Sequence, residues 1–513
     1  MCCNGFTCGL VTLGVGAVLA VAVTVVTFAA VPGLVESIIE NQMTLINDTI
    51  QMERFEEVPV PLNFTLRFWN ISNPDVVLAG GVPIVTEVGP YIYKVYISRN
   101  FESVEPETIT YRILQRYEYD AEASYPNRED DIVTVANAPY NAILQVAESL
   151  FPFLMPALSV ALDGIFGVHN SPIMQVKVRD IAFDGVELCQ GGGSGLAFIA
   201  CSQVRNIGED ADNLEVQPDG SMLFRLKPSE RYVVNRGLTD SADLGRLITF
   251  NEQTLLSNWP QDQCNMLNGT DSQIYPPFVD REASLFALNT DICRSVEMRY
   301  QYDLVYEGIP AVRFAANEWF LANDEGCFCL NATRGINRPD GCLLQGVQEL
   351  YSCVGAFLVL SYPHFLFADN QYANGLIGMS AELERHRIFI DLEPNTGTIV
   401  RGAKRGQFNI FLRPITGIPA TQNLRTTLTP IFWVEEGMAL PEEYVDEITG
   451  RLLRPLRIVD ILLPVLIAVF ALVALVGVGV AVRARMTSTA GHRPPPKLST
   501  SMSSVPLAST GSS

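Results

Sequence analysis

Charged side chains are missing from the first 35 residues of the chain and again from residues 461–482, and between these two blanks polar and apolar positions mix as in an ordinary folded domain. Residues 10–31 are almost wholly apolar, and the second run is bounded by Asp460 and Arg483. At 1.5 Å per residue each run makes a helix of about 33 Å, enough to cross a hydrocarbon core of about 30 Å. The pattern predicts transmembrane helices over 10–31 and 461–482, a short segment 1–9, a domain 32–460 and a tail 483–513. A cleavable signal sequence is the alternative for the first run, with Ala29 and Ala30 as small residues near its end. Signal cores usually hold about 7–15 apolar residues behind a basic segment. This run is longer and has no Lys or Arg before it, which favours a retained anchor.

Between the anchors the dominant signal is strand-like. Residues 91–97 and 108–119 are dense in aromatic and β-branched side chains. Residues 388–392 and 398–400 flank Glu393-Pro-Asn-Thr-Gly397, a hairpin signal, and 407–412 supply a further strand. No internal repeat or long linker divides 36–460, so one mainly β domain is expected, an antiparallel sheet or barrel with α insertions. Residues 141–166 break the pattern: they are helix-like and very apolar, with Pro152 and Pro156 dividing them into short helices. Their 14-residue uncharged core, 149–162, is too short to span a bilayer and suits a buried helix or a docking surface. The Ser/Thr-rich tail reads as disordered.

Charge and cysteine usage orient this plan. Arg483, Arg485, Arg493 and Lys497 follow the second span without any acid, which marks the cytosolic side. The domain carries 31 basic against 56 acidic residues, a net charge of −25, and a nucleic-acid partner is not expected. Five N-x-[ST] sequons, at Asn47, Asn63, Asn70, Asn268 and Asn331, all lie in the domain. Eight of the 11 cysteines fall between 189 and 353, an even number suited to an oxidising compartment. The other three, Cys2, Cys3 and Cys8, precede the first predicted span, where S-palmitoylation is plausible. Neither span holds an ionisable group, so the spans read as anchors; Gly14, Gly16, Gly477 and Gly479 permit close packing, including in a homo-oligomer.

Enzyme chemistry finds little support. Gly191-Gly-Gly-Ser-Gly195 fits neither G-x-G-x-x-G nor G-x-S-x-G and reads as a hairpin tip closed by Cys189 and Cys201. Cys327-Phe-Cys329 with Cys342 and Cys353 has zinc-like density, but oxidising conditions favour disulfides. Only four histidines are present (His169, His364, His386 and His492), and there is no Walker or H-E-x-x-H sequence. Asp219-Gly-Ser221 is a turn-like echo of an ecto-nucleotidase motif, and residues 461–482 lack the polar stripe of a channel. No enzyme activity, metal or cofactor is expected.

An ordered series of short motifs resembles the class B scavenger receptor family over nearly the whole chain. It runs through Phe68-Trp69, Asn73-Pro74, Gly89-Pro-Tyr91 with Tyr93, Asn268-Gly-Thr-Asp271 and Pro276-Pro-Phe278. It continues with Asp291-Ile-Cys-Arg-Ser295, Gly308-Ile-Pro310, Arg313-Phe314, Cys327-Phe-Cys329 and Pro363-His-Phe365, and ends with His386-Arg387, Asp391-Leu-Glu-Pro394, Thr396-Gly397 and Trp433. The resemblance implies a large antiparallel β-barrel-like ectodomain with a helical cap over 137–187 and an apolar tunnel, held by the two terminal helices. It also implies disulfides Cys264–Cys327, Cys293–Cys353 and Cys329–Cys342, which leaves Cys189–Cys201 as an extra bridge.

The function implied is physical: binding of lipids or lipoproteins and passage of fatty acids, sterols or sterol esters through the ectodomain to the membrane. Ile143, Leu144, Leu150, Phe151, Phe153, Leu154 and Leu158 form the expected docking surface of the cap. A protein ligand gripped by the same helices, in a lysosomal or endosomal sorting receptor, is the alternative. The cap region holds only Lys177 and Arg179 as basic residues, which argues against polyanion capture. The tail lacks a terminal acidic-dileucine signal, so the plasma membrane is preferred over the lysosome. His169 is read as a surface histidine, with a lumenal pH switch as the sharper alternative.

Overall fold

The computed structural model describes residues 5–190, 195–208, 214–218, 221–224, 230–323 and 326–490. The chain divides into two compact units, the terminal segments 1–37 with 450–513, and the body 38–449.

In the terminal unit the helix Gly5–Val25 packs against the helix Arg454–Ala490. Side-chain size sets their approach. A Cβ on Gly9 would lie 2.5 Å from the backbone N of Ala481, one on Gly16 2.5 Å from that of Ala474, and one on Gly477 2.3 Å from that of Leu13. Gly16 and Gly477 therefore serve contact within one chain, whereas Gly14 and Gly479 meet nothing within 4 Å. Thr12, Thr24 and Thr27 return their hydroxyls to the carbonyls of Cys8, Ala20 and Val23 at 2.8–2.9 Å, so none of these three is left bare in hydrocarbon. Both helical runs outlast the predicted spans, reaching Gly5–Met43 and Glu442–Ser488. Pro32 cannot donate to the helix ladder, and the chain passes it through a π turn at Val26–Ala30 before the helix Val31–Met43.

Among the described residues the body has 18 strands. In chain order they are β1 (Leu62–Ile71), β2 (Val85–Val104), β3 (Thr108–Tyr119), β4 (Ile132–Ala136), β5 (Ile173–Lys177), β6 (Val186–Leu188), β7 (Leu214–Val216), β8 (Met222–Phe224) and β9 (Arg231–Asn235). Then follow β10 (Leu247–Phe250), β11 (Leu285–Asn289), β12 (Arg294–Tyr306), β13 (Ile309–Ala316), β14 (Val347–Glu349), β15 (Leu358–Ser361), β16 (Ile388–Leu392), β17 (Ile399–Leu412) and β18 (Thr427–Ala439). Thirteen of them form one antiparallel sheet in the order β10-β9-β3-β2-β1-β18-β17-β16-β13-β12-β11, with β15 and β14 branching from β17. The predicted hairpin is present. Glu393 accepts from the backbone N–H groups of Asn395 and Thr396, and Gly397 turns the chain at φ +69°.

The two ends of this sheet are joined through the segment Gly269-Thr270-Asp271. Leu247 of β10 donates its N–H to Gly269 O at 2.9 Å, Thr270 donates to Phe286 O of β11 at 3.2 Å, and Leu288 donates back to Thr270 O at 2.9 Å. Gly269 sits at φ +79°, and a Cβ there would lie 1.8 Å from Phe286 O, so only glycine fits the closure. Next to it, the carboxylate of Asp271 accepts from Arg99 Nη2 at 2.7 Å and from the Tyr111 hydroxyl at 2.8 Å. Arg99 also donates to Phe55 O at 2.6 Å and lies over the Phe55 ring. All of these groups are buried, and the seam is held by a fully paired charge.

Removing one half of a buried pair strands the other, at a cost of about 3–5 kcal/mol. Asp271→Ala is expected to lower the unfolding free energy of the purified full chain, read from its urea transition, by that much, and Tyr111→Phe by about 1 kcal/mol, one hydrogen bond. Equal midpoints for Asp271→Ala and the parent would show that the seam does not hold the barrel.

Candidate functional site in the barrel interior and cap

Alternation along the strands separates two faces. Tyr91, Tyr93, Val95 and Ile97 of β2 are buried on one face, while Lys94 and Tyr96 are more exposed on the other. The buried face continues through Leu66 and Phe68 of β1 and Phe314 of β13 to Ile390 of β16, and it is the inward face of the closed sheet. Part of it is not filled. Phe64, Tyr117, Phe183, Phe408, Phe432 and Val434 are only half-buried although they face inward or rest on that face. Their rings form a wall, with centroids 5.4 Å apart for Phe64–Tyr117, 5.2 Å for Tyr117–Phe183 and 5.2 Å for Phe408–Phe432. Inward side chains that keep accessible surface border free volume inside the barrel.

Above this wall lies the cap. The helix Ala138–Leu150 begins at Asn137, whose side chain accepts from the Tyr140 N–H at 3.0 Å, with Pro139 in the first turn. Asn137 also donates to the carbonyls of His169 and Ser171, tying the cap's two limbs. The helix is fastened to the end of β17 by Gln145 Nε2 to Phe411 O at 3.0 Å and by the buried ion pair Glu148–Arg413 at 2.7 Å. A 3-10 turn Pro152–Leu154 and the helix Met155–Phe166 follow, ending where Gly167 takes φ +53°. Residues 152–169 are apolar enough to count as a membrane span by composition and length. The regular helix is only 12 residues, about 18 Å, and Met155, Ala161, Leu162, Ile165 and Phe166 are buried within the body.

The expected docking residues divide sharply. Leu150, Phe151, Phe153 and Leu154 are exposed, Phe153 at 95 %, as the loop between the helices pushes them outward. Leu144 is fully buried against Tyr140 and Phe166, and Ile143 and Leu158 are half-buried, so these three hold the cap together. Sequence reasoning missed Leu196, Phe198 and Ile199, exposed on the helix Leu196–Gly208, which packs on Met155–Phe166 and extends the cap beyond residue 187. Cys189–Cys201 staples that helix to the end of β6 and is not the base of a hairpin; residues 191–194 of the glycine run lie outside the described residues. The helical period of Leu196–Ile199 was the available signal, obscured by the neighbouring glycines. Lys177 pairs with Asp130 at 3.1 Å and Arg179 with Asp184 at 2.6 Å, so the two basic residues of 137–187 are both matched.

The remaining disulfides are Cys264–Cys327, Cys293–Cys353 and Cys329–Cys342. Among the sequons Asn47, Asn63 and Asn331 are exposed, while Asn70 and Asn268 are half-buried and Asn70 Oδ1 accepts from the Thr134 N–H. Cys8 lies inside the first helix, and Cys2 and Cys3 fall outside the described residues. His169 is half-buried in a 3-10 turn.

On the outward face, under the 363–387 loops, lies a cluster that sequence reasoning named only as motifs. His364 and His386 stack at 4.3 Å, and Trp433 Nε1 and His364 Nε2 both meet Glu87 Oε2, at 3.0 and 2.9 Å. The backbone N–H of Ser380 points at His364 Nδ1 and that of Glu382 at His386 Nδ1, so each ring carries its proton on Nε2. Burial, the neighbouring His364 and Arg385 push His386 down to about 3. Burial alone would raise Glu87; hydrogen bonds from His364 and Trp433 and the charge of Arg385 outweigh it and hold Glu87 at about 2.

Compared with known proteins, the chain matches the model of the CD36 family over residues 14–481. It is 31 % identical to sensory neuron membrane protein 2 of Anopheles gambiae, covering 91 % of this chain and 92 % of that protein. It is 30 % identical to sensory neuron membrane protein 2 of Drosophila melanogaster, covering 84 % and 89 %. Sensory neuron membrane protein 1 of Manduca sexta is 31 % identical, covering 87 % and 86 %.

The histidine cluster makes acid stability a direct readout. An unfolded His386 binds a proton near 6.5, whereas the folded one does so only near 3, so between these values folding loses stability as pH falls. The limiting slope is about 1.4 kcal/mol per pH unit. Glu87 adds a loss of the same sign between 4.5 and 2. His386→Asn, which keeps an acceptor for the Glu382 N–H, is expected to flatten the fall of the unfolding midpoint between pH 6.5 and 4.5. Parallel pH curves for variant and parent would refute the assignment.

Proposed function

Because the chain belongs to the CD36 family, we propose that it is a membrane receptor that takes up long-chain lipids at its cap and passes them through the barrel interior to the bilayer. The family is one of non-enzymatic receptors. The observation that carries the reading is the inward face of the closed sheet, where aromatic side chains remain partly accessible. Exposing each CH₂ of a lipid to water costs about 0.8 kcal/mol, so a lipid leaves its carrier readily only along an apolar path. The exposed Leu150, Phe151, Phe153 and Leu154 offer the start of such a path, and the half-buried rings offer its continuation. Concentration difference and partition into the bilayer drive the flux, with no nucleotide required.

The relatives' names describe membrane proteins of sensory neurons, which favours the plasma membrane as the location. In this reading the termini are cytosolic, Cys2, Cys3 and Cys8 are acylated beside the membrane, and the exposed Asn47, Asn63 and Asn331 carry glycans on the outer side.

Replacing Leu150, Phe153 and Leu154 together by Glu is expected to cut uptake of a labelled long-chain lipid into expressing cells several-fold at unchanged surface level, since each side chain lies on the surface. Unchanged uptake would remove the cap from the path. Unchanged uptake with loss of a stoichiometric protein partner would favour a sorting receptor that grips a protein with the same helices.

A further inference from the structure

The inward face is not uniformly apolar. On β17 the inward positions run Gly402, Lys404 and Gly406, and Lys404 stands directly across from Glu436 of β18. Its Nζ lies 3.3 Å from Glu436 Oε2 and 2.9 Å from Asp291 Oδ2. Asp291 belongs to the turn after β11, four strands further round the sheet, so this ion pair joins parts of the sheet that are not neighbours. All three side chains stay partly accessible, 36 % for Lys404, 50 % for Asp291 and 26 % for Glu436. They adjoin the aromatic wall: Glu436 stands directly across from Phe64 of β1, whose ring meets Tyr117 at 5.4 Å. The two flanking glycines differ: Gly402 keeps some accessible surface, whereas Gly406 is buried. A Cβ on Gly406 would touch only Leu360 Cδ1 at 3.2 Å, and one on Gly402 would make no contact under 3.5 Å.

The charge count at this station is unbalanced. One ammonium faces two carboxylates, and Glu230, hydrogen-bonded to Tyr232, adds a third acidic group to the same surroundings. Burial works against the Lys404 charge, but Asp291 and Glu436 outweigh it and raise its pKa, so the amine is a protonated hydrogen-bond donor and not a nucleophile. A lipid carboxylate brought here would approach a cation already shared by two carboxylates and would meet their like charge. An uncharged hydroxyl or ester oxygen brings no such penalty and accepts a hydrogen bond from the ammonium.

We propose that Asp291, Lys404 and Glu436 form a polar station inside the barrel that favours long-chain lipids with an uncharged, hydrogen-bond-accepting head, alcohols or esters, over free fatty acids. This rests on the lipid-passage reading above and specifies its ligand class. The neutral head pauses at Lys404 while the chain lies along the aromatic wall. Glu436 and Asp291 hold the ammonium in place and repel carboxylates.

The test offers the full chain, in detergent micelles, an equimolar mixture of chain-matched saturated alcohol, methyl ester and carboxylate, at a pH where the acid is ionised. The protein is repurified and its retained lipid is quantified by mass spectrometry. The readout is the ratio of retained alcohol to retained carboxylate in the parent, divided by the same ratio in Asp291→Asn/Glu436→Gln, which cancels unequal partition into micelles. Freeing Lys404 of both carboxylates is expected to lower the preference about tenfold, equivalent to about 1.4 kcal/mol. Each single variant is expected to lie between parent and double variant. Lys404→Met is expected to move the preference the other way, as carboxylate retention falls further. An unchanged ratio in all four variants, with lipid still retained, overturns the station and leaves lipid passage standing. No retention of any of the three lipids by the parent overturns lipid passage itself, and the station with it.

Discussion

A sheet that closes on itself must satisfy its last two edges, and here the whole body depends on how that is done. Neither β10 nor β11 bonds the other directly; three residues, Gly269, Thr270 and Asp271, carry hydrogen bonds to one or brace the seam from within. The segment is short enough to work only because Gly269 has no Cβ to strike Phe286 O and because Asp271 finds Arg99 and Tyr111 from two other strands. Closure removes the exposed edges that a large sheet would present. It also creates an inside, and every functional argument about this protein concerns what that inside can hold.

The inside differs from a packed core in one respect that matters. Phe68, Tyr91 and Phe314 are buried without residue, as stability requires, yet a neighbouring set of rings and the Asp291–Lys404–Glu436 group keep accessible surface. Stability alone favours filling such space, since a cavity costs more the larger it is. Space walled by aromatic rings, a cap with Phe153 held out to solvent, and two spans without an ionisable residue are what the proposed passage of lipid by contact calls for.

Much of this was legible in the order of residues, for physical reasons that differ between elements. The membrane helices were legible because hydrocarbon allows almost no polar exceptions, although their ends were not: helices continue past the apolar stretch when nothing breaks them, as at Val31–Met43. The hairpin at Glu393–Gly397 was legible because its turn uses side chains with one structural purpose. The motifs that marked the family proved to be close-packing devices. Asn268-Gly-Thr-Asp271 closes the sheet, and Pro276-Pro-Phe278 docks on the Pro394–Asn395 turn through the Phe278 and Val279 N–H groups. The cap residues were only half legible, because a run that is apolar all round does not reveal which side meets the core; Leu144 and Phe153 look alike in sequence and lie at opposite extremes of exposure. The Lys404 station was not legible at all, since Asp291 and Lys404 are 113 positions apart and only the closed sheet brings them together.

The central claim is that the barrel interior holds lipid, and the most direct measurement is mass spectrometry of lipid extracted from the purified full chain, compared with a variant whose interior has been filled. Val434 lies half-buried on the inward face beside that space, and Val434→Trp would occupy it. The account predicts a long-chain lipid bound near one per chain in the parent and lost in the folded variant. Equal lipid in both, or none in the parent after exposure to lipid, would contradict it.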